Sequence, residues 1–209
     1  MIDLYLGDCL EYMRTLPDGA VDAVVTDPPY GIYKHGGKWG RKSQLQWDTT
    51  RPEIRGLLTL APRVVIWGGN YFPLPPSRGW LIWHKPDSVP SAADVELAWT
   101  NIDMNARYIC HSIAATNGER VKHPTQKPLR VMRWCLEMAG VPKGATVFDP
   151  FMGSGTTGVA CVQTGRNFIG CEIDPGYFAI AKRRIELAQM QPMLIEPVTV
   201  PPVQLEAFA

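Results

Sequence analysis

The sequence predicts an α/β protein built on a single doubly wound, mostly parallel sheet. Three observations carry that expectation. Short apolar runs rich in β-branched or aromatic residues recur along the chain, helical stretches lie between several of them, and a glycine-rich turn joins one run to the helix that follows. With 209 residues and a hydrophobic fraction of 45%, the chain suits one domain with a sizeable core.

Taken in order, residues 2–6 (IDLYL) read as the first strand and 9–15 as a helix that Asp8 can cap. Residues 21–26 (VDAVVT) form the next strand, which Pro28 and Pro29 stop, because a proline ring fixes φ and has no N–H to give a ladder. A helix is expected over 53–60, then strands over 63–67, 80–83 and 107–111, and a helix over 126–139 that Thr125 can cap. Strand 145–148, helix 156–164 and strand 167–171 follow closely on one another. The last helix, 176–189, places Phe178, Ala181, Ile185 and Leu187–Ala188 on one broad face, with Lys182, Arg183 and Glu186 largely opposite. Stretches 31–52 and 85–106 are Gly-, Lys- or polar-rich and read as functional loops or a small inserted lobe. The expected organisation is a domain over 1–190 and a Pro-rich tail over 191–209, to which no function is assigned.

Composition narrows the function. No apolar run reaches the roughly 18 residues that cross a membrane, and the start MIDLYLGDCLEYM lacks a basic n-region, so no membrane partner and no signal peptide are expected. Five cysteines without a CxxC pair point to reduced thiols and a cytoplasmic setting. The four histidines show no HExxH spacing, so no metal site is expected. Charge is segregated: residues 1–30 carry six acids and one arginine, whereas 31–60 and 119–133 each carry a net +4. Basic loops flanking an acidic stretch suit a polyanion held beside a carboxylate-lined site, although solvated loops would look the same.

The run ATVFDPFMGSGTTGVACVQTGRNFIGCEID reads as strand, glycine turn, helix and strand. Gly153, Gly155 and Gly158 satisfy G-x-G-x-x-G at the opening of a helix, and Glu172 lies where a ribose-binding acid belongs. A dinucleotide would bring a pyrophosphate to that turn, but Asp149 ends the strand at the same place, and like charges in a dry cleft are costly. S-adenosylmethionine, which carries an ammonium and a sulfonium and no phosphate, removes the conflict. Asp149 would attract its cationic end while Glu172 accepts from the ribose hydroxyls.

The tetrapeptide Asp27, Pro28, Pro29, Tyr30 fits a second need. An exocyclic amine on a nucleobase is a poor nucleophile, because its lone pair is delocalised into the ring. An acceptor on each N–H helps to localise that pair. The Asp27 carboxylate and the Pro28 carbonyl, stiffened by two consecutive rings, can be those acceptors, and Tyr30 can stack on a base that has left the duplex. Methylation at cytosine C5 would instead need a thiolate, usually in a Pro-Cys dipeptide; none of the five cysteines follows a proline.

In these stretches the chain resembles the DNA methyltransferases that modify adenine N6 or cytosine N4, in the circularly permuted arrangement called the beta class. Matching in order are GDCLEYM (7–13), TDPPYGI (26–32), WGGNYF (67–72), WHKP (83–86), HPTQKPL (123–129), DPFMGSGTT (149–157) and GCEID (170–174). The resemblance implies a Rossmann-like methyltransferase fold, S-adenosylmethionine as cofactor, and double-stranded DNA as partner, and it allows a homodimer. It also implies roles by position. Asp8 would lie near the cofactor adenine or amine; His123, Thr125, Gln126 and Lys127 would close over its methionine moiety; Phe151, Gly153, Gly155 and Thr156 would line its pocket, with Glu172 and Asp174 beyond. Asp at the first position of the tetrapeptide leans towards adenine N6, with cytosine N4 and a non-catalytic binding relative as alternatives. Larger members carry a long recognition segment, whereas here only loops at about 33–50 and 87–122 are available. In the first, Lys34, Lys38, Trp39, Arg41 and Lys42 suit phosphate contact and stacking, as would a solvated loop. The small size is similar to that of phage-encoded members, and restriction would require a separate endonuclease.

Overall fold

The computed structural model describes residues 1–32, 51–90, 92–116 and 126–191. The elements run β1 (Ile2–Leu6), α1 (Cys9–Met13), β2 (Ala23–Thr26), β3 (Arg63–Trp67), β4 (Trp80–His84), β5 (Val95–Thr100), β6 (Arg107–Cys110), α2 (Ile113–Thr116), α3 (Leu129–Met138), β7 (Thr146–Asp149), α4 (Thr156–Gln163), β8 (Asn167–Glu172) and α5 (Pro175–Met190). The eight strands form one sheet in the order β1-β8-β7-β2-β3-β5-β4-β6. All pairings are parallel except those of β5, which runs against both β3 and β4. The expected single, mostly parallel α/β sheet is therefore present.

Central strands of a sheet covered on both faces are apolar on both sides, and these strands alternate accordingly. Val25, Val65, Trp67, Val147 and Phe168 point to the face covered by α3, α4 and α5, where they meet Met132, Ala160 and Ile185. Val24, Val64, Ile66, Phe148 and Ile169 point to the other face, against Cys9, Leu57 and Phe72. Gly158 lets α4 approach the sheet: a Cβ there would stand 2.5 Å from Ile185 Cδ1 and 2.7 Å from the Phe168 ring.

Four expectations are corrected. The stretch 53–60 forms only a 3-10 turn, Arg55–Thr59, with Gly56 weakening the helix and Leu60 closing it. Residues 85–106, read as loop or lobe, contain β5, whose Ala98, Trp99 and Thr100 are buried in the sheet. The recognition stretch at 87–122 consequently holds β5, β6 and α2, which leaves less free loop than expected. Leu187 is 52% exposed, so the buried stripe of α5 is Ala181, Ile185 and Ala188. Loop 33–50 and tail residues 192–209 lie outside the described residues. Among the described residues, no helix is long and apolar enough to cross a membrane, and no cluster of His, Cys, Asp and Glu could hold a metal ion.

The topology fixes where a site can form. β7 passes through α4 to β8 on one side, and its other neighbour, β2, pairs onward with β3. The β7–β2 border is thus the switch point of the sheet, where the carboxyl ends of parallel strands open a crevice.

Candidate active site

At that border the two sequence-predicted motifs meet. The Thr26 hydroxyl donates to Asp149 Oδ1 at 2.8 Å, which links the end of β2 to the end of β7. A cleft of about 630 Å³ opens there, lined by Asp27–Tyr30 on one side and by Asp149, Phe151, Gly153 and Thr156 on the other. Asp8, Gln126, Lys127, Glu172 and Asp174 also line it, whereas Gly155, expected among the lining residues, is not one of them and instead caps α4.

The glycine turn is held from three directions. Gly155 caps α4 at φ +78°, and a side chain there would meet Ala181 at 2.8 Å. Glu172 Oε2 accepts from the Gly153 N–H at 2.9 Å, and its other oxygen accepts from the Asp174 N–H at 2.8 Å. From α5, Arg184 donates to the Ser154 carbonyl at 2.5 Å and to the Thr156 hydroxyl at 3.2 Å. Asp149, 2% exposed, accepts from Thr26, from the Phe151 N–H at 3.1 Å and from the Thr157 hydroxyl at 2.6 Å. Burial pushes its carboxyl up to about 6, against those hydrogen bonds. Burial also raises Glu172.

Two other acids do double duty. Asp8 accepts from the Leu10 N–H at 2.8 Å and so caps α1 while lining the cleft. Asp174 caps α5 through the N–H groups of Gly176 and Tyr177 at 2.8 and 2.9 Å. Four carboxylates on one cleft wall suit a cationic ligand bearing hydroxyls and disfavour a pyrophosphate, as the sequence implied for S-adenosylmethionine.

On the opposite wall, among the described residues, each Asp27 oxygen has one partner and keeps a lone pair for another. Its Oδ1 accepts from the Tyr30 hydroxyl at 2.6 Å and its Oδ2 from Lys127 Nζ at 2.5 Å. The Tyr30 ring stacks on Tyr71 with centroids 4.9 Å apart. Burial, then the neighbouring Asp27, holds the Tyr30 phenol well above its ordinary range, so it stays a donor. Lys127, expected to close over the methionine moiety, lines the cleft between Asp27 and Glu96, whose Oε2 is 3.0 Å from Nζ. Burial alone would depress the ammonium, but Asp27 and then Glu96 outweigh it and keep it well above the usual lysine range.

Among the lining residues to which the sequence assigned no site role are Glu96, Lys85 and Trp83, the last two within the WHKP stretch. They come from the β4–β5 pair and the residue after β4, and Lys85 Nζ donates to Glu96 Oε1 at 3.1 Å. The signal was a lone glutamate inside the otherwise apolar run VELAW. Cys9 is the cysteine that lines the cleft among the described residues, and burial lifts its thiol to about 11, so it supplies no thiolate at neutral pH. His123 and Thr125, and the basic set Lys34, Lys38, Trp39, Arg41 and Lys42, lie outside the described residues.

Comparison with known proteins agrees with this geometry. The model of a DNA methylase family, N6_N4_Mtase, matches residues 82–183. The chain is 30% identical to the putative methylase YubD of Escherichia coli (strain K12), over 88% of this chain and 89% of that protein. It is 26% identical to the type II methyltransferase M2.MboI of Moraxella bovis, over 87% and 86%. Its fold matches the crystal structure of the M1.HpyAVI–S-adenosylmethionine complex with a TM-score of 0.62 at 27% identity, covering 88% of this chain and 99% of that one. With the paired motifs meeting at one cleft, this chain belongs to the N6/N4 DNA methylase family, the methyltransferases of nucleobase amino groups.

Proposed function

We propose that the chain methylates N6 of adenine in double-stranded DNA, using S-adenosylmethionine as methyl donor. The observation that carries this reading is the cleft itself: Asp27–Tyr30 and the Asp149–Thr157 turn line one cavity at the β2–β7 border. S-adenosylmethionine dependence follows from the family and from the carboxylate-rich cleft wall.

Asp149 and Glu172 are assigned to the cofactor's cationic and ribose ends, with Asp8, Gln126, Phe151, Gly153, Gly155, Thr156 and Asp174 around them. Bound there, S-adenosylmethionine would supply a methyl group on a positively charged sulfur; the amino nitrogen would take it with its lone pair, sulfur would keep the electrons of the C–S bond, and a proton would leave to water. Asp27 and the Pro28 carbonyl accept from the two amino hydrogens and turn the lone pair out of the ring plane. Tyr30 packs on the extruded base. Adenine is favoured because the tetrapeptide begins with Asp27, and cytosine N4 is the second reading. Lys34, Lys38, Trp39, Arg41, Lys42, His123 and Thr125 keep their assigned roles as proposals, and a homodimer would enlarge the small DNA-reading surface.

The test is mass spectrometry of nucleosides from DNA exposed to the purified protein and S-adenosylmethionine. N6-methyladenine is expected; N4-methylcytosine would overturn the choice of base, and no methylated nucleoside would overturn the activity. Asp27→Ala should abolish transfer with cofactor affinity retained.

A further inference from the structure

Asp27 is one end of a row of charges that alternate in sign. Its Oδ2 lies 2.5 Å from Lys127 Nζ, which lies 3.0 Å from Glu96 Oε2, and Glu96 Oε1 lies 3.1 Å from Lys85 Nζ. The two lysine side chains are 8% and 6% exposed, the carboxylates 29% and 23%. Each comes from a different place in the chain: Asp27 follows β2, Lys85 follows β4, Glu96 is in β5, and Lys127 precedes α3. Lys127 Nζ also lies 3.3 Å from the Tyr30 hydroxyl and 5.4 Å over the Trp67 ring, which leaves it little room to turn elsewhere. Lys85 is seated over Trp83 in the same manner, at 5.4 Å.

The arrangement has a chemical reason. An acceptor that is already fixed and ionised loses no reorganisation energy when the amino group arrives. One ammonium spanning two carboxylates offsets their mutual repulsion in a partly dry cleft and fixes where both point. Glu96 in turn offsets the charge of Lys127, so that the ammonium does not repel a cationic methyl donor. Among the described residues, the other ionisable groups that face Asp27 are Tyr30 from its own segment and Asp149 at the end of β7.

We propose that Lys127 and Glu96 are positioning residues for methyl transfer: Glu96, itself held by Lys85, aims Lys127 at Asp27, which keeps that carboxylate a fixed hydrogen-bond acceptor for the amino group. The inference rests on the function proposed above. Glu96 is pulled below the usual carboxylate range by Lys127 and then Lys85, against its burial, which fits a permanent ion pair.

The test compares wild type, Lys127→Met, Lys127→Arg and the double variant Glu96→Gln/Lys127→Met. It reads the single-turnover rate of duplex DNA methylation at saturating S-adenosylmethionine, the cofactor Kd and, on cofactor-free protein, the ¹³C NMR titration of the Glu96 carboxyl. Lys127→Met should slow transfer by about 100-fold, the scale of a misplaced reacting group, leave the cofactor Kd nearly unchanged, and raise the Glu96 midpoint that Lys127 holds down. The double variant, in which no Glu96 carboxylate is left to oppose Asp27, should recover part of the lost rate. Lys127→Arg keeps the charge but not the shape, so it should slow transfer while leaving the Glu96 midpoint low. A Lys127→Met rate at the wild-type level, a Glu96 midpoint unmoved by that change, or a double variant no faster than the single overturns the proposal. Should Lys127→Met fail to fold, a Glu96 midpoint raised in Lys127→Arg overturns it alone. Wild-type protein that transfers no methyl to DNA overturns the proposed function instead, and the Glu96 titration then still reports whether the ion pair exists.

Discussion

Gly68 packs against the edge of Tyr30 so closely that a Cβ there would lie 2.1 Å from the ring's Cε1. Gly68 also has φ +67°, in the left-handed region where a side chain is strained. Gly68→Ala should therefore displace Tyr30 and loosen the hydroxyl's hold on Asp27. The expected outcome is a fall in kcat of about 100-fold, the scale of an ångström misplacement, with cofactor affinity nearly unchanged. Single-turnover kinetics beside calorimetry would check it; loss of both in equal measure would place the effect elsewhere.

Asp149 lies at the proposed cofactor site and should make binding there depend on pH. Its carboxyl is raised to about 6 by burial, above its ordinary value, so between about pH 4 and 6 the folded protein holds a proton that the unfolded chain has released. That group therefore contributes stability at low pH that is lost as pH rises through 6. A cationic ligand selects the ionised form, so S-adenosylmethionine should bind about tenfold more weakly for each pH unit below 6. Calorimetry in buffers of different ionisation enthalpy should detect proton release on binding near pH 6. Asp149→Asn should flatten the dependence.

Glu172 fastens Gly153 with one carboxylate oxygen and retains lone pairs for a ligand. Glu172→Ala removes both functions, and cofactor affinity should fall by about 1–3 kcal/mol. Glu172→Gln retains an oxygen and should fall less. Equal affinities for the two variants would count against a direct ligand role.

At the helix–sheet contact, Gly158→Ala forces a methyl into a gap that Ile185 and Phe168 already fill. Stability should drop by about 1–3 kcal/mol, the cost of overpacking a tight core, as read from urea unfolding. Gly158 is not among the residues that line the cleft, so cofactor affinity of the folded fraction should be retained.

Much of this was legible in the chain. The run RVVIW is a strand because its β-branched and aromatic side chains fill the centre of a sheet covered on both faces, and IDLYL and WLIW extend that sheet with partly buried apolar residues. Asp27, Asp149 and Glu172 were found because short motifs fix their place at strand ends. β5 was missed because a glutamate interrupts its short apolar run, and Glu96 was missed with it. Its neighbours Lys85 and Lys127 are 11 and 31 residues away, and only the pairing of Trp83 with Glu96 brings the charges together. Sequence spacing carries no record of such contacts across strands.

The reversal of β5 has a further consequence. In a parallel sheet each strand offers the rim of the crevice only its last residues, but a strand entered from the rim offers its first, which is how Glu96 arrives there. The hairpin joining His84 to Val95 is therefore tied to the chemistry by its length. Deleting a single residue between the turn and Glu96, with the turn held in place, would turn Glu96 to the opposite surface of the sheet and carry Leu97 into its place. Grafting a longer DNA-reading segment onto this scaffold is safest at the tip of the connection, where the count of residues between tip and Glu96 is preserved.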